Sequence, residues 1–406
     1  MFDIVRELKK ALAAGKKAAI TTIVDTAGSV YRREGARAVI HEDGAIAGMV
    51  SGGCVESDLS EYAREVWEKG VGMRVPYDFR ADNDLIWGLG VGCNGALTTW
   101  IFPFDPIGHR DVAEAIVEEF ERRRTTHTLY RVGWVVESAD PARFPEGAVV
   151  ELAEPLPWGL VERELDGCQV LLFVEEVAPR PQLVVYGAGP DAVPLVEQAR
   201  VLDWSIHVYD HRPQMATKMR FPAADKVQVI DRTEYGTQDF PTNETFVVVM
   251  THNYELDRNL LEHLLPQPLP YLGLLGPRAR LERMLEDLRQ GGKVFTEEQL
   301  AKVHSPIGLD IGADTPEEIA LCVTAEVLAV RNHRNGGFLK QRIASLHDRA
   351  TAGLLVETKV ATGTRGNPRP LAEWVTKRYG RRLVVPWAGH RVCGGPGPAS
   401  YPPHRL

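Results

Sequence analysis

A glycine-rich turn between a short apolar segment and a helical pattern constrains the fold more than any other feature of the sequence. Residues 183–186 predict a strand, and the turn that follows reads Gly187-Ala188-Gly189-Pro190-Asp191-Ala192. In this G-x-G-x-x-A pattern the first glycine permits a tight turn, the second lets a phosphate approach the backbone, and the small Ala192 allows close helix–strand packing. Asp210 closes the next predicted strand, 23 residues after Gly187. This spacing suits a carboxylate that binds a ribose hydroxyl, so the pattern predicts a nucleotide-type fold.

The rest of the second half repeats short apolar strands separated by 15 to 20 residues of helical or mixed pattern. Such spacing predicts parallel βαβ units and a Rossmann-like, doubly wound sheet, which we place at residues 180–345 after a linker at 178–181. Thr315 is a plausible N-cap for the last helix, with Pro316 at its first position and Glu318 closing a capping box. The predicted strands are 183–186, 206–209, 227–230, 246–250 and 271–275.

Residues 1–175 predict a separate α/β domain that precedes the parallel sheet. Apolar residues at helical spacing open the chain, and an Asp-Gly step between two apolar runs predicts a hairpin. The α/β class therefore applies to both halves of the chain. The predicted elements are a helix from residue 2, a strand at 18–24, the hairpin 38–41 and 45–48, helices at 55–69 and 111–124, and strands at 96–102, 132–136 and 170–174.

Charge is spread unevenly along the 406 residues. Residues 349–406 contain 10 Lys/Arg and 2 Asp/Glu, a balance of +8, so with a total of −8 residues 1–348 carry −16. A body this acidic is a poor candidate for binding nucleic acid electrostatically. Gly and Pro supply 15 of the last 58 residues. That composition predicts a poorly ordered extension rather than a folded element.

The chain has the composition of an ordinary globular protein, with 44% hydrophobic and 25% charged residues. No apolar run approaches the roughly 20 residues that a membrane span needs. The first residues, MFDIVRELKK, interrupt their apolar positions with charge, unlike a secretory leader. Five scattered cysteines without a CxxC pair predict neither a disulfide framework nor a structural zinc site. We therefore expect a cytoplasmic protein.

Two of the five cysteines stand in glycine turns. Cys54 lies in SGGCVE between a strand and a helix, where the helix dipole favours the thiolate, the form that binds metals or attacks electrophiles. Cys93 lies in GLGVGCNG, with four glycines in eight residues. Cys322, by contrast, has the apolar neighbours of a buried structural thiol. For Cys54 and Cys93, a small residue tolerated in a tight turn is the alternative interpretation.

Further candidate residues fall at the carboxyl ends of the predicted parallel strands, where ligands of open α/β sheets bind. His252 could bind a ligand, transfer protons or simply cap a strand end, and Arg278 could hold a phosphate or be solvated. Residues 305–312 form a glycine-punctuated loop that could close over the crevice. Asp191 stands where a pyrophosphate would need a free helix N-terminus, so a scaffold without bound NAD(P) stays an open alternative.

Several stretches, taken in chain order, resemble the XdhC/CoxI family of xanthine dehydrogenase accessory proteins over about residues 1–345. Two positions depart from the family pattern: Ser51 stands in place of a glycine, and Cys93-Asn94-Gly95 in place of Cys-Gly-Gly. The matching stretches are 28–37 (GSVYRREGAR), 52–56 (GGCVE), the GAGPDA turn, 209–213 (YDHRP), 250–257 (MTHNYELD), 271–276 (YLGLLG) and 304–312.

The resemblance implies a protein that binds the molybdenum cofactor, a molybdopterin, protects it while its sulfido ligand is installed, and passes it to a xanthine dehydrogenase-type hydroxylase. It also implies a cysteine desulfurase partner and a homodimer. By resemblance, Cys93 holds the molybdenum, with Cys54 as the second candidate, beside Gly52, Gly53, Gly92 and Gly95. The rim of the second domain offers a surface for the cofactor's phosphate, formed by Gly187, Gly189, Asp210, His252 and Arg278.

Two other functions compete with this carrier role. One is an NAD(P)-dependent oxidoreductase with Asp210 on the ribose and His252 as acid or base, against which Asp191 and the lack of a Lys/Tyr/Ser set argue. The other is a thiol enzyme with Cys54 or Cys93 as nucleophile, although neither has a histidine nearby in sequence. A thiolate is a soft ligand suited to a sulfur-ligated metal. A carrier must also release its cargo, which requires that strong ligands be few, so we favour a chaperone over a turnover enzyme.

Overall fold

The architecture is taken from a computed structural model of the 406-residue chain. It describes residues 2–53, 55–79, 95–152, 156–238, 240 and 244–341. The predicted basic extension at 349–406 lies outside the described residues. Three sheets and their helices account for the described part, and both halves are α/β as predicted.

The chain opens with a five-stranded antiparallel sheet of order β3-β2-β1-β5-β4. Its central strand β1 buries residues 18–24 without interruption because helices cover both faces. Helix α1 packs on one face beside Trp100 and Phe102, and α2 packs on the other beside Ile101. The predicted hairpin and strands are confirmed. The elements are α1 Phe2–Ala14, β1 Ala18–Gly28, β2 Arg37–His41, β3 Ile46–Gly48, α2 Glu56–Lys69, β4 Met73–Asp78 and β5 Gly95–Phe104.

A second antiparallel sheet, of order β7-β6-β9-β8, follows helix α3. Trp134 and Phe173 from this sheet enter the same apolar core as α1 and α3. Strand β8 escaped sequence prediction because it is charged and none of its residues is fully buried. The elements are α3 Arg110–Thr125, β6 Tyr130–Ser138, β7 Val149–Glu151, β8 Gly159–Leu165 and β9 Cys168–Val177.

A buried ionic cluster joins these two sheets to helix α3. Glu175 of β9 accepts hydrogen bonds from Arg37 Nη1 at 2.9 Å, Arg123 Nη2 at 2.9 Å and the Trp134 indole nitrogen at 2.8 Å. Arg123 also pairs with Glu119 at 2.8 Å. All these side chains are almost completely shielded from solvent. Because removal of one partner from a buried pair leaves an uncompensated charge, the cluster locks β2, α3 and the second sheet together.

Residues 178–181 lead into a six-stranded parallel sheet of order β12-β11-β10-β13-β14-β15. This is the strand order of dinucleotide-binding Rossmann folds, with its switch point between β10 and β13. Helices α4 and α8 cover one face, and α5 and α6 cover the other. The elements are β10 Gln182–Tyr186, α4 Ala192–Val201, β11 Ser205–Asp210, β12 Lys226–Val229, β13 Thr245–Val249, α5 Tyr254–Leu264, β14 Tyr271–Leu274, α6 Arg278–Gln290, α7 Glu297–Ala301, β15 Val303–His304 and α8 Pro316–Arg331.

The last helix, α8, begins as the sequence predicts. The Thr315 hydroxyl accepts a hydrogen bond from the Glu318 amide at 3.3 Å, and Glu318 accepts one from the Thr315 amide at 3.1 Å. Pro316 occupies the first helical position, where its missing N–H costs nothing. Within the described ranges, no helix combines the length and apolar character needed to cross a membrane.

Candidate functional site

The first glycine of the fingerprint lies at the switch point of the parallel sheet. Gly187 has a φ of +116°, and its amide donates to Tyr209 O at 2.9 Å. A Cβ at this position would lie 2.3 Å from Met250 O, in the chain that leaves β13. The close approach of two backbones therefore requires glycine here, as the motif predicts.

Substitution of Gly187 by alanine should destabilise the second domain by roughly 3 kcal/mol, since strained backbone and overpacking each cost about 1–3 kcal/mol. Gly159→Ala is the matched control, because its φ of +103° is similar but no atom lies within 4 Å of an added Cβ. Urea unfolding of both variants measures the difference. Equal losses would mean that the contact with Met250 contributes nothing.

Asp210 is predicted to bind a ribose, and the structure shows what already holds its carboxylate. It accepts hydrogen bonds from the Ala188 amide at 2.7 Å and from Arg212 Nη2 at 2.7 Å and Nε at 2.9 Å. Burial raises its pKa, but the Arg212 and Ala188 hydrogen bonds outweigh burial and hold the pKa below its ordinary value. Asp210 thus fixes the glycine turn, and a ribose hydroxyl would have to compete with Arg212.

Asp191 and His252 form a pair at the mouth of the same crevice. Asp191 is the N-cap of α4 but makes no side-chain cap, and its Oδ2 lies 2.8 Å from His252 Nε2. A Cβ on Gly189 would lie 2.3 Å from Asp191 Oδ1. This Oδ1 is shielded from solvent and, within the described part of the chain, has no hydrogen-bond partner. A negative charge therefore fills the space beside the second glycine, where a pyrophosphate would need free amides.

Two further features were predicted at the rim of the parallel sheet, namely Arg278, which follows β14, and the loop at 305–312, which follows β15. Arg278 is the first residue of α6, and its side chain is 81% exposed, with Nε 3.8 Å from a carboxylate oxygen of Glu282. The loop at 305–312 is tied to α8, because the Gly308 amide donates to Glu326 at 2.8 Å. Glu326 also accepts from the Tyr271 hydroxyl at 2.6 Å. Sequence analysis missed Glu326, since nothing in its helical context distinguishes it from a surface glutamate.

A second group of predicted residues meets at one edge of the five-stranded sheet. Gly95 pairs with Gly28 across β1 and β5, and a Cβ on Gly95 would lie 2.3 Å from Ser29 O. A Cβ on Gly52 would lie 3.9 Å from the Tyr31 ring. Gly53 has a φ of +108° with open space around it. The loop that begins at Ser29 therefore lies against both glycine segments, which are 43 residues apart in sequence.

Ser51, which departs from the family pattern, organises the turn before α2. Its hydroxyl accepts hydrogen bonds from the Gly53 amide at 3.2 Å and the Val55 amide at 3.3 Å. Its own amide donates to Glu56 Oε1 at 2.9 Å, and its hydroxyl donates to Glu56 Oε2. Burial raises the pKa of Glu56, but the hydrogen bonds from Ser51, together with those from the Val55 and Glu56 amides, outweigh burial and lower the pKa below its ordinary value. The serine thus stabilises the turn that leads to Cys54.

The cysteines divide between the described and the remaining parts of the chain. Cys54, Cys93 and Gly92 lie outside the described residues. Cys168 and Cys322 are free and buried, so the prediction of a buried Cys322 is confirmed, and burial raises the pKa of its thiol. No cluster of three or more His, Cys, Asp or Glu side chains suited to a metal ion occurs among the described residues.

Comparison with protein families gives two matches along the chain. Residues 11–78 match the model of the XdhC and CoxI family. Residues 183–327 match the model of the XdhC Rossmann domain. The first match contains Gly52 and Gly53, and the second contains the glycine turn at Gly187 and Gly189, whereas Gly92, Cys93 and Gly95 lie between the two matched ranges.

Individual relatives cover about four fifths of this chain. A protein of Bacillus subtilis (strain 168) described as a probable xanthine dehydrogenase subunit is 32% identical over 336 residues, 78% of this chain and 94% of that protein. The molybdenum cofactor insertion chaperone PaoD of Escherichia coli (strain K12) is 24% identical over 331 residues, 82% and 89% of the two chains. The crystal structure of a xanthine dehydrogenase from Bacillus halodurans matches with a TM-score of 0.63 and 28% identity, covering 82% of this chain and 96% of that one.

Proposed function

This chain belongs to the XdhC and CoxI family, and from that premise we propose that it binds the molybdenum cofactor and delivers it to a xanthine dehydrogenase-type hydroxylase. The observation that carries the proposal is the near full-length match to a molybdenum cofactor insertion chaperone and to a probable subunit of xanthine dehydrogenase. In this proposal the cofactor is cargo, protected while its sulfido ligand is installed. A cytoplasmic location and a homodimer belong to the same proposal.

The residue types at this edge of the five-stranded sheet suit the cargo. In sequence, Cys54 directly follows Gly53, and Cys93 stands two residues before Gly95. Glycines leave room for a bulky pterin to approach the backbone. A thiolate is a soft ligand for a sulfur-ligated metal, and we propose that Cys93, with Cys54 as second candidate, binds the molybdenum. A carrier must release its cargo, and a site with few strong ligands allows that.

The oxidoreductase alternative is weaker at the crevice itself. The strand order and the glycine turn would accept a dinucleotide. The Asp191 carboxylate, however, lies beside Gly189 and pairs with His252, and Asp210 already binds Arg212. A dinucleotide would have to displace both pairs and overcome a like charge. We therefore propose that the parallel-sheet domain does not use NAD(P) as a hydride carrier.

Partners follow from the chemistry of the carrier role. Installing a terminal sulfido ligand requires a donor of activated sulfur, so we propose a transient complex with a cysteine desulfurase. Delivery requires a second complex with the recipient hydroxylase. Both partners would have to reach the cargo, and the open space around Gly53 is consistent with access from solvent.

The function is tested with the purified full-length chain loaded with molybdenum cofactor under reducing, oxygen-free conditions. We expect molybdenum and pterin to coelute with the protein in equal molar amounts after gel filtration. Addition of a cofactor-free xanthine dehydrogenase should then transfer the cofactor and restore hydroxylase activity. Calorimetric titration with NADH and NADPH is the parallel measurement. No retained pterin together with tight nucleotide binding would overturn the carrier proposal in favour of the oxidoreductase.

A further inference from the structure

Arg33 carries a buried hydrogen-bond donor that nothing satisfies within the residues that the structure describes. Its Nε is shielded from solvent, and no hydrogen-bond acceptor there meets it. A buried guanidinium N–H left without a partner is costly, so such donors normally have a hydrogen-bond acceptor, and an anion is the acceptor that suits the charge of a guanidinium best. Four other arginines that pack into the described chain each have a carboxylate: Arg37 has Glu175, Arg123 has Glu119, Arg212 has Asp210 and Arg280 has Asp257.

The loop that carries Arg33 is rigidly held. The Ala36 amide donates to Arg33 O at 3.1 Å, and Gly35 has a φ of +85°, which are the marks of a type II turn. The Gly35 amide donates to Ile23 O at 2.8 Å, while Arg37 Nη1 donates to Gly35 O at 3.1 Å. Arg33 therefore stands on backbone that is anchored to β1 and, through Arg37, to the buried ionic cluster.

The same loop reaches the candidate cargo site. Val30 is buried, whereas Tyr31 is 58% exposed beside Gly52, and Arg32 is exposed. The adjacent carboxylate of Glu34 accepts a hydrogen bond from the Thr26 hydroxyl at 2.7 Å. Arg32 and Arg33 are two adjacent cations in this loop, on a body whose residues 1–348 carry −16. Locally, the loop offers positive charge to an anion.

We propose that Arg33, with Arg32 beside it, forms the subsite for the phosphate monoester of the cofactor cargo. A planar guanidinium forms paired, charge-assisted hydrogen bonds with phosphate oxygens. The competing position is the rim of the parallel sheet, where Asp191 places a carboxylate at the start of α4 and Arg278 is the exposed cation. This inference rests on the proposed function, because it assigns one part of the cargo to one loop.

The test compares binding of the stable, oxidised pterin fragment of the cofactor with and without its phosphate, measured by the fluorescence of the pterin. We expect the wild-type chain to prefer the phosphorylated form by about 10–100-fold, the value of one or two charge-assisted hydrogen bonds. Arg33→Gln should remove this preference and leave binding of the dephosphorylated form unchanged. Arg64→Gln, an exposed arginine on α2, makes the same charge change and should keep the preference.

Each other outcome overturns a different statement. If Arg278→Gln rather than Arg33→Gln removes the preference, the phosphate binds at the rim. If Arg33→Gln weakens both forms equally, Arg33 supports the fold of the loop and not a phosphate. If inorganic phosphate at low concentration abolishes the preference for the phosphorylated pterin, the loop binds free phosphate instead. If the wild-type chain binds neither form, the proposed function itself is wrong.

Discussion

Replacing Cys93 by serine is expected to lower the molybdenum and pterin retained by the protein by at least about tenfold. Serine keeps the size of the residue but removes the soft, easily ionised sulfur that a molybdenum ligand requires. Even a group that only supports a metal ligand typically contributes roughly 10–100-fold to metal affinity, so loss of a ligand should cost no less. The measurement is elemental molybdenum and pterin fluorescence after gel filtration of the loaded protein.

Two companion variants make this result specific. Cys54→Ser should lower loading as well if both sulfurs approach the metal, and should leave loading unchanged if Cys93 acts alone. Cys168→Ser is the control, because this buried thiol lies 3.6 Å from the Ser138 hydroxyl in the second sheet, outside both candidate sites. Unchanged loading in a chain that carries both Cys93→Ser and Cys54→Ser would refute a sulfur-held cargo.

Replacing Glu175 by glutamine is expected to cost about 3–5 kcal/mol of folding stability, the largest stability effect that we expect of a single substitution. Glutamine nearly preserves the shape but leaves Arg37 and Arg123 as two buried guanidinium groups without their shared carboxylate. The control is Glu176→Gln on the same strand. Glu176 Oε2 lies 2.9 Å from Arg131 Nη2, and the Arg131 side chain is 38% exposed. A surface ion pair of this kind contributes only about 0–1 kcal/mol to folding stability.

Urea unfolding, followed by circular dichroism, measures the free energy of unfolding of both variants. Repeating the measurement at lower pH gives an independent check. Burial raises the pKa of Glu175, but Arg37 and Arg123 outweigh it and lower the pKa from 4.5 to about 2. The folded pKa lies below the unfolded one, so this stabilisation is complete above pH 4.5 and is lost as the pH falls from 4.5 towards 2. The wild type should lose more stability than Glu175→Gln over that interval. Equal acid sensitivity would show that the cluster does not stabilise the fold through charge.

Much of the second domain could be predicted because its signals are local. A run of apolar residues, a glycine turn and a capping box each act within a few residues, so the strands at 183–186 and 206–209 and the start of α8 were placed almost at their observed bounds. The order β12-β11-β10-β13-β14-β15 runs outwards from β10 in both directions, so right-handed crossovers place helices on both faces of the sheet. In the first half of the chain, the charged strand β8 could not be predicted from the sequence. Its alternation of apolar and polar residues is weak, and only pairing with β9 makes it a strand.

The glycines of the candidate sites could be predicted from the sequence, but the hydrogen-bond partners of the polar side chains there could not. Gly187 and Asp210 were identified from spacing, and the structure places both at the switch point. The Arg212 side chain that holds Asp210 was not expected as its partner, since a pattern of residue types contains no information on which charges pair. The role of Ser51 could not be predicted either. In the sequence it is only a departure from the family pattern, whereas in the structure its hydroxyl accepts hydrogen bonds from two backbone amides.

The sequence alone therefore determined the α/β class, the family, the glycine turns and the sulfur-bearing positions, because these depend on residue type and short-range spacing. The tertiary structure decided which charges are neutralised and which, among the described residues, are not. Asp191 meets His252 across 61 residues and Arg37 meets Glu175 across 138, while Arg33 is left with an unsatisfied donor. Such pairings arise only when separate sheets and helices pack against each other, since the energy of a charge depends on its burial and on the groups that share its surroundings.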